Sequence, residues 1–273
     1  MREFYLINEK GQRFDFNYSS KVLISDVSGL GFKKDIDYLK YGDTYKKLKE
    51  ERTLDEINLT LVFLKSYKGY AGFINFIESS TSFDFYYTSN DTKFINCEVE
   101  SLSKTQLSYG VLTSQLVLKK LSYWFKVTTK EISIKPAAVG KIYTYSYPYT
   151  YSDSSKGSVM IENKGYSKAS LRIILEGDFD DPEVLVKQNN EIVQRMKIYY
   201  TSNDARLVVD SFPTRQKIEI SEQGVLKNGY ELQDFEYENF IFLDRGVYEI
   251  EYRPHATTAP KCTIIMTEGY LGN

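Results

Sequence analysis

Gly110-Val111-Leu112-Thr113-Ser114-Gln115-Leu116-Val117-Leu118-Lys119-Lys120-Leu121 is the stretch that decides the fold class. Leu112, Ser114, Leu116 and Leu118 alternate with Val111, Thr113, Gln115, Val117 and Lys119, a period of two that sorts side chains onto the two faces of a strand. The same period recurs upstream in Leu54, Ile57, Leu59, Leu61 and Phe63, in Val22 to Val27, in Phe83 to Tyr87 and in Phe94 to Val99. Near the start, Phe4 to Ile7 and Phe14 to Phe16 flank Asn8-Glu9-Lys10-Gly11, where glycine supplies the positive φ of a hairpin connection. The chain is expected to be mainly β.

Two segments break this rhythm. At Tyr67 to Glu78, Tyr67, Tyr70, Ala71, Ile74 and Ile77 recur at spacings of three and four, which predicts a helix lying across a sheet, with Ser66 as its N-cap. Gly69 and Gly72 each weaken that helix by roughly 1 kcal/mol, so packing must hold it. Residues 33 to 53 are different again: charges of both signs, interrupted by Tyr38, Leu39, Tyr41 and Tyr45. That composition predicts a solvated arm or long hairpin.

At 273 residues the chain is long enough for about two domains. Trp124 and Phe125 are expected to close the first, residues 1–127. Residues 128–142, with Lys135-Pro136-Ala137-Ala138-Val139-Gly140, read as a linker, and 143–273 as a second domain. The second half opens on Tyr143, Tyr145, Tyr147, Tyr149 and Tyr151, an aromatic face on one strand, with Pro148 favouring a sheet edge. Short strands follow at Gly157 to Asn163, Ser170 to Glu176, Ile192 to Tyr200, Arg206 to Asp210, Lys217 to Ile220, Phe240 to Leu243, Val247 to Tyr252 and Lys261 to Met266. This is the pattern of a sandwich or jelly roll. Only Val184 to Val193 leaves room for a second helix. The hexapeptide Tyr86 to Asp91 recurs as Tyr199 to Asp204, which reads as shared strand-then-turn chemistry and not as domain duplication.

The chemistry-bearing residues are few. One His, two Cys and a net charge of −2 argue against metal chemistry, disulfide scaffolding and a global grip on nucleic acid. Cys97 and Cys262 read as buried thiols, and His255 stands in a turn. The chain has no G-x-S-x-G elbow and no phosphate-binding G-x-x-x-x-G-K-[ST] loop, and Gly29-Leu30-Gly31 lacks the third glycine of a dinucleotide fingerprint. Asp178-Phe179-Asp180-Asp181-Pro182-Glu183 lacks calcium-loop spacing and reads as a turn between strands. The N-terminus lacks a signal-peptide apolar core, and no apolar run approaches the ~20 residues of a membrane span. Neither an enzyme nor a cofactor is expected. Tyrosine abundance suits either a protein interface or a surface that stacks on sugars.

The order of elements is informative beyond composition. An opening hairpin, the Gly29-Leu30-Gly31 strand, a charged arm, a long strand, Tyr67, Tyr70, Phe73, Ile74 and Ile77 on a helix, then strands ending in Ser122-Tyr123-Trp124-Phe125, together resemble the N-terminal domain of the distal tail proteins of siphophages. Gly157 to Gly165, Ile173 to Gly177 with Asp181-Pro182, and Gly246 to Ile250 look like their C-terminal galectin-like sandwich, with Asp181 where the pattern carries asparagine. The resemblance implies a β-sandwich-like ring-forming N-terminal domain with one helix and an extended arm, followed by a galectin-like or jelly-roll β-sandwich. It implies a homo-hexameric ring at the tail tip of a virion, made in the bacterial host cytoplasm. Its expected partners are the tail tube protein, the tail-tip hub protein and receptor-binding proteins, with DNA only in transit and no membrane insertion. On that reading Lys33, Lys34, Tyr38, Tyr41 and Tyr45 are interface candidates. Tyr143, Tyr145, Tyr147, Tyr149 and Tyr151 are a candidate stripe for glycan or partner. The rival expectation is a β-sandwich that binds host cell-surface carbohydrate.

Overall fold

The computed structural model describes residues 2–134, 156–256 and 260–272. It divides into two compact units, Met1–Lys126 together with Gly269–Asn273, and Val127–Glu268. The second unit is thus an insertion in the chain of the first, and the last residues return to where the chain began. This differs from the expected domain of 143–273. It differs also at the linker: a strand runs through Trp124–Ile132, past the residues expected to close the first domain. The remainder of the expected linker from residue 135, and the stripe Tyr143, Tyr145, Tyr147, Tyr149 and Tyr151, lie outside the described residues.

The first unit opens with β1 (Glu3–Asn8) and β2 (Arg13–Asp15), an antiparallel hairpin with Gly11 at φ +75° in its turn. Then come β3 (Val22–Ser28), the arm strands β4 (Lys33–Tyr41) and β5 (Thr44–Thr53), and β6 (Glu56–Phe63). Helix α1 (Ser66–Glu78) precedes β7 (Phe83–Thr88), β8 (Thr92–Leu102) and β9 (Leu112–Lys120), and β10 (Trp124–Ile132) leaves the unit. Strand β8 is the hinge of the architecture. Its first half pairs with β7, which continues through β1 to β2; its second half pairs with β9, which continues through β6 to β3. The halves meet at Cys97, which pairs with both neighbours, and a register shift between Val99 and Ser101 bends the half paired with β9, as a bulge does.

Alternation puts Leu112, Leu116 and Leu118 of β9, and Ile57, Leu59, Leu61 and Phe63 of β6, into one core. Helix α1 delivers Phe73 to it, where Phe14, Phe16, Phe63 and Phe76 surround the ring. Ser66 does not cap this helix. The cap position is Lys65, no side chain bonds the free N–H groups, and Ser66 itself has φ 51°. Aromatic packing supplies the stability that capping would otherwise add.

The second unit is a two-sheet sandwich. One sheet contains β12 (Ala169–Asp180), flanked by β20 (Lys261–Tyr270) and β15 (Thr201–Asp210), and continues to β16 (Lys217–Glu222) and β17 (Val225–Asn228). The short β18 (Phe242–Leu243) joins the start of β12. The other sheet has the order β11 (Gly157–Asn163), β19 (Gly246–Arg253), β13 (Glu183–Gln188) and β14 (Glu191–Lys197). Leu171, Ile173 and Leu175 of β12 meet Val184 and Val186 of β13 and Tyr248, Ile250 and Tyr252 of β19 in the core.

Val184 to Val193, open to a helix on sequence, is the β13–β14 hairpin. Asn189 and Asn190 both take positive φ, the two-residue turn that fits strand twist. The repeated hexapeptide behaves differently in its two places: Ser89 to Asp91 form the turn between β7 and β8, whereas Thr201 to Asp204 lie within β15. The acidic cluster at 178–183 is indeed the end of β12, a turn and the start of β13, with Asp181 at φ 45°.

Phe73→Ala should destabilise the first unit by roughly 3–5 kcal/mol, read as a lowered urea midpoint at pH 7; a loss below about 1 kcal/mol would show that the helix is not the lid of this core.

Candidate assembly surface

The arm is a hairpin, as its composition predicts. Strands β4 and β5 form a two-stranded sheet of their own, closed by Gly42-Asp43 between Tyr41 and Thr44, with Gly42 at φ +55°. Among the described residues neither strand pairs with any other. Side chains along β4 and most of β5 are exposed: Tyr38 is 56%, Tyr45 66%, Leu48 61% and Tyr41 64% accessible. An isolated hairpin is marginal in water, because it has backbone bonds on one edge of each strand and no core. This arm nevertheless has a long, regular register with one bulge, between Asp37 and Tyr38, opposite Leu48.

The register divides the expected interface residues. Lys34, Ile36, Tyr38 and Lys40 share one face of β4, and across the ladder Ile36 stands opposite Glu50, Tyr38 opposite Lys47 and Lys40 opposite Tyr45. On this face the Tyr38 and Tyr45 rings meet edge-on at 6.5 Å, and Glu50 receives Lys34 at 2.7 Å and also Lys47. Lys33 and Tyr41 point to the opposite face with Leu39. The candidate residues therefore form two surfaces, and the first is the more organised: an aromatic pair and Ile36 beside a clustered carboxylate with two ammonium groups. The sequence reading did not single out Ile36 or Leu48. The alternation of Ile36 with Tyr38 was a signal for it, whereas the bulge that brings Leu48 forward has no mark in sequence.

A second surface was not anticipated. On the outer face of the β11-β19-β13-β14 sheet, β13 and β19 place Glu183 beside Arg253, and Glu251 beside Leu185. Arg253 bridges to Glu183 at 3.3 Å and to Glu251 at 2.6 Å, Lys187 bonds Glu251 at 2.6 Å, and Arg195 of β14 pairs with Glu183. Arg195 also lies over the Tyr237 ring at 4.4 Å and donates to its hydroxyl at 2.7 Å. Glu183, Arg195, Tyr237 and Arg253, with Ile192 and Val193, line an open recess of about 400 Å³. Burial works to raise the Glu251 pKa, but the bonds from Lys187 and Arg253 outweigh it and hold the carboxyl below its ordinary range. The charges in this lattice are already satisfied by one another, so it stiffens the sheet.

The remaining candidates are unremarkable chemically. Burial pushes both thiols, Cys97 and Cys262, well above the usual cysteine range, which leaves them protonated and inert. His255 sits in a loop with Nδ1 3.2 Å from the Asp181 carbonyl oxygen. Among the described residues, no group of three or more His, Cys, Asp or Glu side chains could hold a metal ion, and no helix is long and apolar enough to cross a membrane.

The first unit thus carries a free-standing arm hairpin, and the sandwich is inserted before the chain returns to it. Residues 3–121 match the family described as distal tail protein, N-terminal domain. That match spans most of the first unit and supports reading the chain as a siphophage distal tail protein. No curated protein matches it in sequence. Among solved structures, a chain of the phage P2 baseplate in its activated conformation with calcium superposes with a TM-score of 0.69 at 14% identity, covering 100% of both chains. The distal tail protein of phage SPP1, described as a paradigm of the hub adsorption apparatus in phages infecting Gram-positive bacteria, gives 0.58 at 13% identity, covering 98% of this chain and 99% of that one. At these identities the structures attest the fold.

The lowered Glu251 pKa gives a pH dependence with a definite sign. The fold favours the charged carboxyl, so its contribution is complete above about pH 5 and is lost as pH falls through the lowered value. Urea midpoints of the second unit should drop between pH 5 and pH 3, and Glu251→Gln should flatten that drop; an unchanged slope in the variant would contradict the lattice.

Proposed function

We propose that this chain builds a closed ring of six copies at the distal end of a phage tail, with the arm of each copy laid on its neighbour. The observation that carries the reading is the arm: an ordered hairpin with Tyr38, Tyr45 and Leu48 exposed, Ile36 half-buried beside them, and no pairing strand among the described residues. Aromatic side chains in such a position are what interfaces bury. A head-to-tail contact repeated by rotation closes into a ring without leaving a free end. The first unit lines that ring, joining the tail tube protein to the tail-tip hub protein. The inserted sandwich is the platform on which receptor-binding proteins attach. DNA passes through the channel without being read, which suits a chain whose net charge is only −2. The protein is made in the host cytoplasm and resides in the virion tail tip. Its role is structural, with no catalysis, cofactor or membrane insertion. The matches to tail and baseplate proteins support this reading.

Replacing residues 33–53 by a short turn should convert the assembly to monomers, measured as native mass, while the first unit keeps its thermal midpoint. Six copies of the 31.7 kDa chain weigh about 190 kDa, and hexamers that persist without the arm would overturn its role. Tyr38→Ala together with Tyr45→Ala should raise the concentration for half-assembly by at least about tenfold.

A further inference from the structure

The arm needs a fixed direction as well as a sticky face, and its root is held in an unusual way. Gly29, at φ +80°, presses so closely on β6 that an added Cβ would fall 1.9 Å from the Glu56 carbonyl oxygen. Two residues on, the carbonyl oxygen of Gly31 accepts a hydrogen bond of 3.0 Å from Lys120 Nζ, at the end of β9. Lys120 is 4% exposed, and burial lowers the pKa of its ammonium group, opposed only in part by the charge of Asp55. A buried ammonium bonded to a carbonyl is costly to place, so it does not serve stability alone.

The other side of the root is closed by the opposite end of the chain. A Cβ on Gly272 would lie 3.5 Å from the Gly31 Cα, so the two glycine backbones are in near contact. Leu271 shares with Gly31, Phe32, Lys120 and Trp124 the wall of a recess of about 10 Å³, room for one water at most. Lys93 of β8 ties this segment down: its Nζ lies 3.4 Å from the Gly272 carbonyl oxygen and 4.6 Å from the centre of the Tyr270 ring, which packs against the core of the first unit.

We propose that Tyr270–Gly272 is a latch for the arm. The segment reaches the first unit only after the chain has completed the inserted sandwich, and it grips the root at Gly31, with Lys120 and Lys93 as positioning residues. Three consequences belong together: the arm is aimed only once residues 270–272 are in place, a chain lacking them is not competent to join a ring, and any displacement of the returning strand is delivered to the root of the intersubunit arm. This rests on the assembly reading of the arm. The latch itself is a property of one chain and is read separately.

The test compares the full chain with a form ending at Tyr270, and with Lys120→Met, which keeps the aliphatic stem and removes the bond to Gly31. Amide hydrogen exchange at residues 30–36 is followed at a concentration where the chain is monomeric, alongside native mass at high concentration. Both variants should exchange about tenfold faster at the root than the full chain, with the exchange of β6 and β9 interiors unchanged, and both should assemble poorly. Root exchange within about twofold of the full chain in Lys120→Met overturns the latch whether or not the truncated form remains folded. If root exchange rises while rings still form, the latch stands and the assembly role of the arm fails.

Discussion

Everything proposed for this chain depends on a hairpin that has no third strand. In β4 and β5 the strands pair with each other along their length but for one bulge at Leu48, and among the described residues neither pairs with any other strand. Two long strands with exposed tyrosines ordinarily gain a sheet or lose their order. Here the root is pinned, the turn is tight and a charge cluster on Glu50 straightens one face, so the arm holds its shape while its apolar groups stay uncovered. On the proposed reading a second copy offers the missing surface with no new sequence, and the same contact repeated would produce a ring.

The insertion of the second unit gives this arrangement its economy. The first unit is completed by residues from both ends of the chain, and the sandwich is attached at two points, Lys126 to Val127 and Glu268 to Gly269. Its own rigidity comes from a core of β-branched and aromatic side chains between two sheets, and from an outer lattice in which Arg253 and Lys187 hold buried carboxylates. The platform role proposed for the sandwich needs stiffness of this kind more than it needs a pocket.

Much of this was legible in the sequence, and the failures have physical causes. Period-two alternation located β6, β7, β9 and β11, because each buries one face only and shows the contrast. The arm was visible because its charges of both signs could not be buried. Val184 to Val193 misled because both strands of that hairpin are apolar on both faces at one end, where Leu185 lies under the ion-pair lattice and Ile192 and Val193 are exposed, and a run without contrast has no period. Ser66 misled because capping is a backbone geometry, and residue type alone does not fix φ. The pairing of Glu183 with Arg195 and Arg253, and the return of Gly272 to Gly31, are long-range encounters that leave no local mark. Only the order of elements along the whole chain, matched to a family, carried information of that range.

The central claim is that the arm's aromatic face is covered by another copy of the chain, and the most direct measurement is a photo-crosslinking amino acid placed at Tyr45 in the full-length protein. After irradiation of the assembled sample, the account predicts covalent ladders extending to six chains, with the crosslinked peptide mapping to the first unit of a neighbour. Crosslinks confined to single chains, in a sample whose native mass is that of a hexamer, would contradict it.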